Sequence, residues 1–250
     1  MQMTTQAVVI GTRNIEEEDR LLTLLSRDLG VIHAYAKGAN RMKSRLAPTT
    51  ELLCYSSFVL FKNKDRYTVD HADSLNLFFG LRQDVEKLSL ATYFAELTAT
   101  VAPQSEGAED FLRLLLNTLF LLEKGKRSAD FLKPVFELRA LTLAGYMPNL
   151  VACRSCGRYE AGPMTLLLTD GELLCTECLA QDEPDTWKRV PLPEGVLAAM
   201  RHILYSPLER LFQFSLSQKG LRSLGSVTER YLLEQTEKSY ATLDFYKSLR

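Results

Sequence analysis

The chain has 250 residues, 46% of them hydrophobic, which is enough for one large or two ordinary domains with a sizeable buried core. Its formal net charge is −1, so no global charge imbalance marks a nucleic-acid or membrane binder. The opening MQMTTQAVVIGT lacks the pattern of a secretory signal and no apolar run reaches the roughly 18 residues of a membrane span, so a cytoplasmic protein with reduced thiols is expected.

Residues 1–72 carry five short segments rich in branched and aromatic residues: QAVVIGTRNI, RLLTLLSR, VIHAYA, LLCYSSFVLF and RYTVDH. They predict five strands, which suit a small barrel. Gly30, after SRDL, reads as the turn between the second and third strands, and KNKD (62–65) as a short hairpin between the fourth and fifth. RLLTLLSR is also compatible with a helical turn, because a short apolar run does not fix its own period. The acidic EEED (16–19) falls in the loop between the first two strands, and Cys54 reads as a small core residue.

From about residue 75 the pattern is helical. LRQDVEKLSLATYFAELTATVA stops before Pro103, and AEDFLRLLLNTLFLLEKG, apolar on nearly every side, predicts a central buried helix. SADFLKPVFELRALTLAGYMP follows, with Ser128 as its N-cap and Gly145 with Pro148 as its stop. PEGVLAAMRHILYS, PLERLFQF and SVTERYLLEQTEKSYATLDFYKSL supply the closing helices. The reading is an α+β multidomain chain: a barrel domain over 1–75, then an α-helical domain over 76–250 with a cysteine module inserted at 150–182.

That module holds four of the five cysteines as two CxxC pairs, Cys153 with Cys156 and Cys175 with Cys178. A disulfide framework, a redox dithiol and a metal site are the three options. Reduced thiols weigh against the first, and a thioredoxin-like dithiol belongs once, at a strand-to-helix junction. Two knuckles suit a tetrahedral metal, and Asp170-Gly171 between apolar residues predicts a hairpin that returns the second pair to the first. One structural zinc per chain is expected, either as a folding clip or as a surface that touches DNA through Arg154 and Arg158.

Charge is uneven along the barrel. Between residues 31 and 67 lie Lys37, Arg41, Lys43, Arg45, Lys62, Lys64 and Arg66, against only Glu51 and Asp65. In AKGANRMKSRL no acid separates the four cations, so the loop is able to follow a phosphate backbone or to be a merely solvated loop. Catalytic signatures are lacking: there is no GxxxxGK[ST], KxDG, GxSxG or HExxH, and His33, His71 and His202 are scattered.

EEEDRLLTLLSRDLGVIHAYAKGANRMKSRL (16–46) resembles the N-terminal signature of the bacterial recombination mediator family RecO, and FLKPVFELRALTLAGYMPNLVACRSCG (131–157) with DGELLCTEC (170–178) resembles its later part. The resemblance implies a five-stranded OB-fold barrel, an α-helical domain and a four-cysteine zinc module. It also implies a non-enzymatic protein that binds single- and double-stranded DNA and anneals strands. Its implied partners are the C-terminal tail of single-stranded DNA-binding protein (SSB) and RecR, in loading RecA onto SSB-coated DNA. Lys37, Arg41, Lys43 and Arg45 match the family's basic loop. EEED repels phosphate there, so either the DNA path follows 37–45 with Lys62, Lys64 and Arg66, or the acidic loop meets a partner protein. The rival readings are a nucleic-acid-processing enzyme and an RNA-binding zinc-ribbon protein.

Overall fold

The computed structural model describes residues 1–15, 17–64, 66–104, 106–159, 162–182 and 188–250. The strands are β1 (Gln2–Ile15), β2 (Asp19–Ser26), β3 (Gly30–Ala36), β4 (Tyr55–Asn63), β5 (Arg66–Asn76), β6 (Asn149–Cys153), β7 (Met164–Leu167), β8 (Glu172–Cys175) and β9 (Arg189–Leu192). The helices are α1 (Phe79–Arg82), α2 (Val85–Val101), α3 (Glu109–Glu123), α4 (Ala129–Leu143), α5 (Thr176–Leu179), α6 (Glu194–Tyr205), α7 (Gln218–Thr236) and α8 (Ala241–Ser248). They form two units, Met1–Arg127 with Tyr240–Arg250, and Ser128–Ser239.

In the first unit the five strands close a barrel in the order β1-β2-β3-β5-β4, as the sequence predicts. RLLTLLSR is the strand β2, pairing Leu25 with Val8 of β1 and Leu22 with Ala34 of β3. Period two then sends Leu22 and Leu24 into the barrel, where they meet Val9, Phe58 and Leu60. β1 serves two neighbours, pairing with β4 through its first residues and with β2 through its last, and a bulge between Val9 and Gly11 lets it bend. Gly30 has φ +68°, and a Cβ there would lie 2.3 Å from the Pro103 carbonyl oxygen, so only glycine lets β3 start against that segment. Asp65 of the β4–β5 turn and Glu16 of the acidic run lie outside the described residues.

Helix α2 lies along β1 and is capped by Asp84, whose carboxylate accepts from the Lys87 N–H at 3.1 Å. Helix α8 closes on α2: Tyr240 stands edge-on to Tyr93 at 5.9 Å, Glu96 accepts from the Thr242 hydroxyl, and Arg250 reaches Glu86 at 3.3 Å. The segment SVTERYLLEQTEKSYATLDFYKSL is therefore not one helix. It divides at Glu237, which adopts φ +50°, and its first half begins upstream at the Ser217 cap. Helix α3 also departs from expectation: Phe111, Leu115 and Leu122 are buried, but Arg113, Asn117 and Phe120 face solvent, because only one side of the helix has neighbours.

The fully enclosed helix is α4, in the second unit, where every residue from Phe131 to Leu138 is buried. Ser128 is its N-cap residue, without a side-chain capping hydrogen bond. Helices α6 and α7 pack on α4, and a four-stranded sheet in the order β6-β8-β7-β9 carries the cysteine module. PLERLFQF forms turns, not a helix. Leu211 is fully buried and Phe214 packs 4.7 Å from Phe131, and these tertiary contacts outweigh the weak helical tendency of eight residues after a proline.

Candidate metal centre and nucleic-acid interface

Both cysteine knuckles start where a strand ends. Cys153 closes β6 and Cys175 closes β8, and the two strands pair in parallel with Cys153 opposite Leu173. After Cys153 the chain turns back at once: the Gly157 N–H donates to the Cys153 carbonyl at 2.9 Å and Gly157 has φ +71°. Cys156 sits in that turn, and Cys178 sits in α5, which begins directly after Cys175. The predicted hairpin is present, with β7 and β8 antiparallel and the Gly171 N–H bonded to the Leu167 carbonyl at 2.9 Å.

The four sulfurs lie within 4.8 Å of one another, and Cys156 Sγ is 3.8 Å from Cys175 Sγ. A tetrahedral ion with metal–sulfur bonds of about 2.3 Å spaces its ligands about 3.8 Å apart, so the cluster fits one metal ion. Burial raises the Cys153 thiol, but the N–H groups of Cys156, Cys175 and Ser155 outweigh it and bring that thiol down to about 6. Cys178 is pushed up to about 12, chiefly by its hydrogen bond to Cys175. A metal is held by thiolates, so the protons the four sulfurs share leave when it binds.

Around the cluster, ion pairs hold the module together. Arg154 pairs with Asp170 at 2.6 Å and Asp182 at 3.3 Å, and Arg158 with Glu177 at 2.7 Å. Arg154 and Arg158, the arginines of the DNA-touching alternative, are thus engaged with carboxylates. On α7, Gln235 Nε2 donates to the Leu168 carbonyl at 2.7 Å, Glu234 accepts from Lys188 at 2.8 Å, and Tyr231 donates to the Tyr146 carbonyl at 3.1 Å. Pairs of charges far apart in sequence gave no signal for these braces. Cys54 is buried away from the cluster, its thiol raised by burial and donating to the Pro48 carbonyl at 3.0 Å.

The basic residues lie on the barrel, and all seven are exposed. Lys37, Arg41, Lys43 and Arg45 occupy the turns that follow β3; Lys62, Lys64 and Arg66 surround the β4–β5 turn, with Lys62 Nζ 5.3 Å over the Tyr67 ring. Parallel pairing of Ala34 with Tyr67 sets Arg66 level with His33, four residues and roughly 13 Å before Lys37 along β3. The two groups are separate: one follows β3 and the other caps the β4–β5 turn, beside β3 through the β3–β5 pairing.

The acidic turn is part of this site. Arg41 donates to Glu18 Oε2 from Nε at 2.7 Å and from Nη2 at 2.6 Å, which raises the arginine above its ordinary range. Asp19 Oδ1 accepts from the Gly38 N–H at 2.7 Å, and Arg20 on β2 donates from Nε to Asn40 and from Nη1 to Thr50 and the Ala47 carbonyl. The signal was available: Arg20 pairs with Ala36, and continuing that register sets Asp19 and Glu18 beside Lys37 and Gly38. His33 and His71 are exposed on strands, and His202 Nε2 meets the Arg210 carbonyl at 2.9 Å.

A closed five-strand barrel with an uneven basic edge, followed by helices and four cysteines positioned to bind a metal, defines an OB-like barrel protein of mixed α+β class. The family model "Recombination protein O N terminal" matches residues 1–78, and "Recombination protein O C terminal" matches residues 82–244. The chain belongs to the RecO family. A DNA repair protein RecO of Acetivibrio thermocellus is 38% identical over 247 residues, covering 99% of this chain and 97% of the relative. Those of Pelotomaculum thermopropionicum (32% identical, 95% of this chain and 92% of the relative) and Alkaliphilus metalliredigens (28%, all of both chains) are also similar. The family supports a role in DNA repair. Among the described residues no helix is long and apolar enough to cross a membrane.

Proposed function

We propose that the chain is a non-catalytic recombination mediator that binds single- and double-stranded DNA, anneals complementary strands and, with RecR, helps load RecA onto SSB-coated DNA in the cytoplasm. Residues 1–75 form the nucleic-acid-binding domain in this reading, and 76–250 the α-helical partner-binding domain with the zinc module at 150–182. The observation that carries it is the pair of exposed basic groups, 37–45 and 62–66, on one OB-like barrel. Lying on the turn after β3 and on the neighbouring β4–β5 turn, they suit a strand that tracks from one to the other by its phosphates.

Zinc is the metal proposed for Cys153, Cys156, Cys175 and Cys178, since four thiolates at tetrahedral spacing are its usual structural set and leave no open position for chemistry. The C-terminal tail of SSB, an acidic peptide with an apolar end and a free carboxylate, requires an apolar groove edged by Arg or Lys, and the helical domain is assigned that role in this reading. Gel shifts with bare and SSB-coated single-stranded DNA test the proposal. Binding to both is the expected result. A preference for RNA, metal-dependent strand cleavage, or no saturable binding of the SSB tail peptide would each count against it.

A further inference from the structure

The acidic turn grips the basic loop at four points. Two are made by the acidic side chains: Glu18 Oε2 takes both Nε and Nη2 of Arg41, and Asp19 takes the Gly38 N–H. A third is backbone, the Asn40 N–H donating to the Glu18 carbonyl at 2.9 Å. The fourth is Arg20, next to Asp19, which holds Asn40. Between turn and loop lies a cleft of about 670 Å³, lined by Glu17, Glu18, Asp19, Lys37, Gly38 and Arg41. Gly38 has φ +64°, and a Cβ there would come within 3.3 Å of the Arg41 side chain, so the glycine leaves room for Arg41 to fold back toward Glu18.

The four cations of the loop are therefore not equivalent. Lys37 and Arg41 face the carboxylates, while among the described residues Lys43 and Arg45 make no ion pair. Glu18 Oε2 takes the Nε–Nη2 edge of the guanidinium, and a phosphate that approaches Arg41 by that edge must displace it. Glu18 and Arg41 are each more than half exposed, at 56% and 63%, so their pair is of the weak, exchangeable kind.

We propose that the Glu18 carboxylate is an internal competitor for the phosphate seat on Arg41, so that nucleic acid binds there by exchanging partners and not by simple addition. The inference rests on the reading of the loop as a DNA contact and names its regulation. Glu18 keeps the loop's hold on DNA weak and reversible. A strand already held by Lys43 and Arg45 presents its next phosphate at high effective concentration and displaces the carboxylate, whereas a free anion does not.

The test is fluorescence anisotropy of a labelled oligothymidylate with the full chain, comparing wild type, Glu18→Gln, Arg41→Ala and the double variant. Glutamine keeps the length and the acceptor oxygen but not the charge, and leaves the backbone grip intact. The expected result is about fivefold tighter binding at low salt for Glu18→Gln, the upper worth of an exposed ion pair, with no gain when Arg41 is already alanine. Asp73→Asn, which removes one exposed charge elsewhere on the barrel, controls for net charge. A clamp that merely shapes the loop gives the opposite sign, since loosening it weakens binding. An equal gain in the Arg41→Ala background, or from Asp73→Asn, overturns the proposal. So does an unchanged or weakened Glu18→Gln; if the Lys37, Arg41, Lys43, Arg45 quadruple alanine variant still binds less, the DNA reading survives alone. If neither variant changes binding, both fall.

Discussion

Lys133 and Glu137, one turn apart on α4, form a 2.8 Å ion pair with only 9% and 0% of their side chains exposed. Glu229 of α7 meets the same ammonium at 2.8 Å, and Thr228 donates to Glu137 at 2.7 Å, so the two helices share one buried polar knot. Burial pulls the lysine down, but the two carboxylates pull harder and it titrates above its ordinary value. Replacing Lys133 with Met should cost about 3–5 kcal/mol, because the Glu137 carboxylate loses its ammonium while still buried. Denaturant unfolding reads the loss, and adding Glu137→Leu should recover much of it. A cost below about 1 kcal/mol would show that the knot is not held by charge.

Tyr231 gives a pH signature. Burial pushes its phenol from 10.0 up to about 12, so the folded chain holds the proton more tightly than the unfolded one. The resulting stability is complete below pH 10 and drains away as pH rises toward 12. Tyr231→Phe should cost about 1 kcal/mol at neutral pH for the lost hydrogen bond to the Tyr146 carbonyl, and flatten the decline above pH 10. Urea melts across that range check both.

The metal centre should hold one equivalent of zinc, seen by elemental analysis of the folded chain. Cys175→Ser should abolish it and unfold the β6–β9 module, since structural zinc contributes on the order of 10 kcal/mol to such small motifs. Loading the metal releases thiol protons, so retention should weaken as the medium turns acidic. Full stability of the serine variant without zinc would remove the site.

For the basic loop, alanine at Lys37, Arg41, Lys43 and Arg45 together should weaken single-stranded DNA binding for every sequence alike. The slope of log affinity against log salt should flatten by up to roughly 3 units, at about 0.7 per phosphate contact. Stability should change by no more than about 0.5 kcal/mol for each exposed charge removed. An unaltered slope would move the DNA path to Lys62, Lys64 and Arg66 or to the helices.

The barrel was legible in the sequence because its five segments are rich in branched and aromatic residues; the ambiguity of RLLTLLSR disappears once two partners flank it and Leu22 and Leu24 turn inward. The cysteine cluster was legible from spacing alone. What the sequence hid was set by tertiary contacts. Phe120 looks as apolar as Phe111, and only the presence of neighbours on one side of α3 separates them. The sheet beyond the hairpin, β6 and β9, consists of strands of five and four residues whose patterns are too short to register. EEED repels phosphate as a sequence, and only the strand register, which no short segment specifies, seats Glu18 against Arg41.

The chain leaves the barrel's unit at Arg127 and rejoins it at Tyr240. During synthesis the intervening unit is therefore complete while the earlier one still lacks the tyrosine that meets Tyr93 and the threonine that meets Glu96. At translation rates of about 5–20 residues per second, the nascent barrel waits many seconds for that closing helix, with part of α2 uncovered. The usual order of maturation, first made and first finished, is reversed for these two units. A chain truncated before Tyr240 and released should consequently resist protease better in its second unit than in its first.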